Sequence, residues 1–265
     1  MGLNLGSITK AIGNAAPDLA SKAGNVLGGG SSSAVNSNTR NEMFQKVCTF
    51  IPKHVNNDTV VGAFELMRAQ QKMVKKDFST HKASNESAFK KHESTITKAS
   101  GFIEDQNNYA DMAFGDSTMK YSGCEIFATY NAIYSIKKRN TISLSDMIAD
   151  YEKDGMVFSG KFGTAPKAIA DYLTKNGFKT EFCTKEADFD ALGKRSASLI
   201  LTMYNNKEDL SKEVHTINIS KNGEQYIAHN VHCNGKVIGP YASVSELIAN
   251  LNGGKAKGIS LIGIN

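Results

Sequence analysis

The most constraining stretch of this 265-residue chain is near its carboxyl end, where Asn222-Gly223 separates two β-prone runs, 215–220 and 225–231. An Asn-Gly pair in that position predicts a two-residue type I′ hairpin, because this turn needs φ > 0 at both central residues. Strand partners then carry numbers summing to 445, so Ile219 faces Tyr226, Ile217 faces Ala228 and His215 faces Asn230. Directly opposed side chains stand with Cβ atoms about 4.5–5.5 Å apart, within reach of a hydrogen bond. Alternation puts His215, Ile217 and Ile219 on one face and Thr216, Asn218 and Ser220 on the other.

Around this hairpin the chain from about 107 alternates helix and strand signals. An amphipathic helix follows Cys124, with Ile126, Phe127, Tyr130, Ile133 and Tyr134 on its inner side. Ser145 is a candidate cap for a helix through Tyr151, and Thr164 for another with Pro166 in its first turn. Strands are expected at 178–182, 198–204, 215–220, 225–231, 237–241 and 259–264, with a helix at about 243–251. Helices first and then a mainly antiparallel sheet describe an α+β fold.

The amino-terminal part is different. In residues 1–40, Leu5, Ile8, Ile12, Ala15, Leu19, Ala23 and Val26 share a helical face, which Gly13, Pro17 and Gly24 weaken. The run ends in the linker-like Gly28-Gly29-Gly30-Ser31-Ser32-Ser33. The segment lacks the basic cluster and apolar core of a secretory signal. It reads as a loosely ordered tail or, alternatively, as an address or packing segment for a secretion or particle-assembly partner. Gly28-Gly29 also imitates a double-glycine cleavage site and raises self-processing. Residues 41–106 read as a solvated helical extension, with Asp58 capping a helix that carries Val60, Val61, Phe64, Met67 and Met73, and a second helix over about 84–104.

Composition excludes several classes. A net charge of +5, from 31 basic and 26 acidic residues, is too small to argue for nucleic acid or a polybasic membrane contact. No stretch approaches the roughly 20 apolar residues of a spanning helix, so no integral membrane segment is expected. Cys48, Cys124, Cys183 and Cys233 form no CxxC pair, which argues against structural zinc and a disulfide scaffold. On a strand His229 and His232 point to opposite faces, so with Cys233 they make a poor metal cluster. Cys183 and Cys233 are expected to be buried.

Chemistry concentrates on three residues. Cys124 follows Ser122-Gly123 at a helix start, where unsatisfied N–H groups and the helix dipole lower a thiol pKa. An imidazole oriented by an amide is what such a nucleophile needs: the imidazole takes the thiol proton, and the amide carbonyl fixes the ring and its tautomer. Taken singly, Cys124 and His215 read more simply as packed residues. Together with the His215–Asn230 pairing they favour a catalytic reading.

The segments STMKYSGCEIFATYNAIYSI (117–136), GKFGTAPKAIADYLTKNGFKTEF (160–182) and HTINISKNGEQYIAHNVHCNGK (215–236) resemble papain-like cysteine peptidases. Within that group they are most similar to the bacterial peptidases that process double-glycine bacteriocin leaders, and to their uncharacterised relatives. The resemblance covers roughly 115–265. It implies a papain-like domain over 107–265, with Cys124 as nucleophile, His215 as base and Asn230 as orienting residue. Two positions depart from the family. Thr118 stands where a Gln usually donates to the oxyanion, leaving Thr118, Ser117 and Ser122 as candidate donors beside the Cys124 N–H. Glu125 stands where Gly often follows the nucleophile.

The expected function is hydrolysis of peptide amide bonds through an acyl-thioester on Cys124, with no metal or organic cofactor, as a delivered effector or a processing protease. One alternative keeps the triad for transamidation, deamidation or acyl transfer. Another is non-enzymatic, a phage-particle or injection-machine component or its cargo. The cytoplasm suits a free thiol, with export or packaging without a signal peptide as the other route.

Overall fold

A computed structural model describes residues 37–74, 76–99 and 101–265. The helical face expected at 5–26 and the Gly/Ser linker lie outside the described residues. Three helices come first: α1 (Ser37–His54), α2 (Asn57–Met73) and α3 (His81–Ala99). A short hairpin of β1 (Ala113–Phe114) and β2 (Ser117–Thr118) leads into α4 (Met119–Ser122) and α5 (Cys124–Lys137). Then come α6 (Leu144–Lys153), α7 (Pro166–Lys175), β3 (Thr180–Cys183), α8 (Phe189–Arg195) and β4 (Ser198–Tyr204). The chain closes with β5 (Val214–Asn222), β6 (Gln225–His229), β7 (Ile238–Tyr241), α9 (Val244–Asn250) and β8 (Lys257–Ile264). The large sheet has the order β3-β8-β4-β5-β6-β7 and is antiparallel throughout, so the α+β class holds. None of the described helices is long and apolar enough to cross a membrane.

β4 is buried along its whole length, and its sequence SLILTMY shows why. Ile200 joins Ile262 and Ile264 against the helices that carry Phe127, Ile133, Leu144 and Leu173. Leu199, Leu201 and Met203 turn the other way and pack with Ile217, Ile219, Phe189 and Leu247. A strand covered on both faces reads as an apolar run and not as an alternation. The same enclosure explains α5, where every residue from Cys124 to Ile133 is buried. The sequence predicts one inner stripe for this helix, but a helix packed on all sides has no outer one. Phe78, Ala88, Ile96 and Ile103, from the stretch read as a solvated helical extension, belong to the same apolar cluster as Phe127 and Leu173.

Several local expectations shift by a residue or two. Asn56, not Asp58, caps α2, its side chain accepting from the Thr59 N–H. Ser143, not Ser145, caps α6, and Ala165 precedes Pro166 at the start of α7 without a side-chain bond. Cys183 and Cys233 are half-buried, because each lies at a sheet margin or in a loop.

The hairpin shows an instructive error. Its observed pairs, Ile219 with Ala228 and Ser220 with Ile227, sum to 447, so the loop is Gly223-Glu224. Gly223 takes φ 61 at the first central position, which is where a type II′ turn wants glycine. Register therefore moves by two residues, and a shift of two preserves the faces. Thr216, Asn218, Ser220 and His229 therefore share one face, and His215, Ile217 and Ile219 share the other. β6 leaves the ladder after His229, and Asn230 follows in a left-handed conformation at φ 58.

Candidate active site

Cys124 opens α5 directly after a break between two helices. Gly123 makes that break possible, because a Cβ there would stand 2.5 Å from the Met119 carbonyl oxygen. The sulfur is buried, and two groups act on its ionisation: the Thr216 N–H, which favours a thiolate, and the Glu125 carboxyl, which disfavours one. Burial pushes the thiol well above its usual range, and the Glu125 charge pushes it further. The lowered thiol expected from the helix start is therefore corrected: desolvation and an adjacent carboxylate outweigh the helix dipole.

Glu125 is fully enclosed. Desolvation carries its carboxyl up to about 7, although the Cys124 thiol and the Glu125 and Thr164 N–H groups all lean toward the charged form. Oε2 makes no proper hydrogen bond. The carboxylate fits only because residue 163 is glycine, where a Cβ would stand 2.8 and 2.9 Å from the two oxygens. That glycine ends a tight loop over 156–163, in which Val157 N–H donates to Gly163 O and Gly160 N–H to Val157 O. The loop holds Phe158 and Phe162 exposed, edge to face at 5.6 Å. Tyr121, three residues before Cys124, is exposed as well.

His215 and Asn230 meet where β6 peels away from β5, but not through the expected atoms. His215 Nε2 lies 2.8 Å from the main-chain carbonyl oxygen of Asn230. A carbonyl only accepts, so Nε2 carries the proton. Burial holds the imidazole below its usual pKa, in the neutral form. Nδ1 is then the basic nitrogen. The Asn230 side chain is engaged elsewhere, its Oδ1 accepting from Gln106 N at 3.2 Å and its Nδ2 donating to Gln106 Oε1 at 3.0 Å. Orientation of the ring by the Asn230 amide is thus corrected to orientation by the Asn230 peptide. Among the described residues no hydrogen bond joins Cys124 to His215; the β5 group that lowers the thiol is the N–H of the next residue, Thr216.

The sequence reading missed Glu104. Its Oε1 is 2.5 Å from His229 Nδ1, and its Oε2 accepts from the Asn230 N–H at 2.9 Å. The carboxylate fixes the His229 proton on Nδ1, so Nε2 accepts from the Ser220 hydroxyl at 2.8 Å. Phe102 stacks on the ring, with centroids 3.8 Å apart and an 8° interplanar angle. His229 is thus buried in a network of its own. The one local signal was an acid beside two apolar residues, Phe102-Ile103-Glu104. His232, by contrast, is exposed.

The three candidate oxyanion donors separate cleanly. Ser117 and Ser122 hydroxyls bond to each other at 2.8 Å. The Thr118 hydroxyl is buried with no partner and does not cap α4, so its donor is unspent. The sequence matches no family model, and no curated protein matches it significantly.

Proposed function

We propose that the protein is a papain-like cysteine peptidase with Cys124 as nucleophile and His215 as base. The observation that carries this reading is the protonation pattern at the open edge of β5. The His215–Asn230 bond leaves Nδ1 as the basic nitrogen, and the N–H of the adjoining β5 residue, Thr216, favours the Cys124 thiolate. The resting pair is a neutral thiol and a neutral imidazole. As substrate binds, the thiol proton passes to Nδ1, the sulfur adds to the scissile carbonyl, and the carbonyl oxygen takes the charge. Thr118 Oγ1 and the Cys124 N–H are the donors best suited to that oxygen. The imidazolium then gives its proton to the departing amine, and water, deprotonated by the same ring, releases the acyl group from sulfur. Exposed Tyr121, Phe158 and Phe162 flank these segments and suit apolar side chains of a peptide.

The test is a peptide library digested by the full chain, with new amino termini read by mass spectrometry. New termini that vanish in Cys124→Ser support hydrolysis. Ammonia release or amine incorporation without new termini would replace peptidase by deamidase or transferase. No Cys124-dependent product of any kind would remove the enzymatic reading.

A further inference from the structure

We propose that Glu104 is the positioning residue for His215, acting through the backbone of Asn230 rather than by touching the imidazole. His215 takes its orientation from a carbonyl oxygen, and a carbonyl is only as well aimed as the φ and ψ of the residue that carries it. Asn230 has left the ladder, so no strand partner holds its backbone. Its left-handed φ of 58 is tolerable for Asn but needs external support.

Glu104 supplies that support from 126 residues away. One oxygen takes the Asn230 N–H, and the other takes the ring N–H of the preceding residue, His229. Two adjacent residues are thus clamped by one carboxylate. The clamp is itself braced, because Ser220 and Phe102 lock the His229 ring from its other edge and its face. The Glu104 carbonyl also accepts from Gly235 N at 3.3 Å, and Asn107 Nδ2 donates to the Cys233 carbonyl at 2.7 Å, so the segment 104–107 holds both ends of the 230–235 loop. Gln106 adds a reciprocal pair with the Asn230 side chain. Charge-assisted bonds to a carboxylate are roughly twice as strong as neutral ones, which makes Glu104 the dominant grip and Gln106 the lesser. The clamp belongs to the stretch before the peptidase-like segments, so that stretch completes the site.

The role in catalysis rests on the peptidase reading, but the positioning itself does not, and the test keeps them apart. The full chain is labelled with ¹⁵N-histidine, and the His215 ring signals are assigned with His215→Gln. In the wild type the two ring nitrogens are well separated, protonated Nε2 and bare Nδ1. Glu104→Ala collapses them toward an averaged position, and turnover, where a substrate is in hand, falls about 10²-fold in kcat with little change in KM. Glu104→Gln keeps an acceptor for the Asn230 N–H and restores the separation. Asn230→Gly tolerates the same φ, loses both side-chain bonds to Gln106 and retains the Glu104 bond to its N–H, so the separation persists. A fixed His215 tautomer in Glu104→Ala overturns the proposal. So does its loss in Asn230→Gly, which decides the matter even if Glu104→Ala does not fold. A protein that shows the ring signature and cleaves no peptide keeps the clamp and loses only the peptidase.

Discussion

Replacing Glu125 by Gln should make the protein more stable at alkaline pH, by an amount that grows with pH. The carboxyl lies at about 7 in the folded chain against an ordinary 4.5, because burial strips its water and no cation replaces it. The unfolded chain gives up this proton above 4.5 and the folded chain keeps it to about 7, so the folded state binds more protons across that window. Stability is therefore complete below 4.5 and is lost as pH rises through 7. At about 1.4 kcal/mol per tenfold change in proton affinity, the displacement costs the wild type about 3 kcal/mol at high pH. Gln has the same shape and no charge to lose. Urea unfolding of both proteins at about pH 4.5 and about pH 9 should show the variant gaining about 3 kcal/mol on the wild type between the two conditions. A difference that stays flat within about 0.5 kcal/mol would mean that Glu125 titrates like a solvated carboxylate and that its burial costs the fold nothing. The same substitution removes a charge beside Cys124 and should bring its thiol down.

Two further substitutions probe the site and its support. Thr118→Val removes the unspent hydroxyl at nearly constant shape, and kcat on a cleaved peptide should fall about 10²-fold while Thr118→Ser retains much of it. An unchanged kcat would take Thr118 out of the oxyanion site. His229→Ala removes the stacked ring and strands Ser220 and one Glu104 oxygen, which should cost about 2–4 kcal/mol in denaturant unfolding. A loss under about 0.5 kcal/mol would mean the network is relaxed by water.

What the sequence made legible follows a physical division. β4 appears over 198–204 in both readings, because an apolar run bounded by polar residues can be satisfied by a doubly covered strand. The hairpin's faces were legible but its register was not, since Asn222-Gly223-Glu224 accommodates a loop starting at Asn222 or at Gly223. The meeting of His215 with Asn230 survived that slip because Asn230 leaves the ladder and returns its carbonyl to the ring. Local reasoning placed Cys124 at a helix start correctly, yet gave its pKa the wrong direction. A helix dipole is visible in sequence, whereas desolvation depends on everything packed around the sulfur. Glu104 was invisible for the same reason: its partners, His229 and Asn230, are more than a hundred residues away and no local pattern announces them.

The claim that Cys124 and His215 act together is tested most directly by labelling with a peptidyl vinyl sulfone, followed by peptide mapping of the full chain. A small alkylating agent at acidic pH is the wrong probe, because the buried resting thiol is not ionised there. One adduct is expected, on Cys124, that is absent in Cys124→Ala and forms at least about 10²-fold more slowly in His215→Ala. Equal labelling of the half-buried Cys183 or Cys233, or labelling of Cys124 at an unchanged rate in His215→Ala, would contradict it.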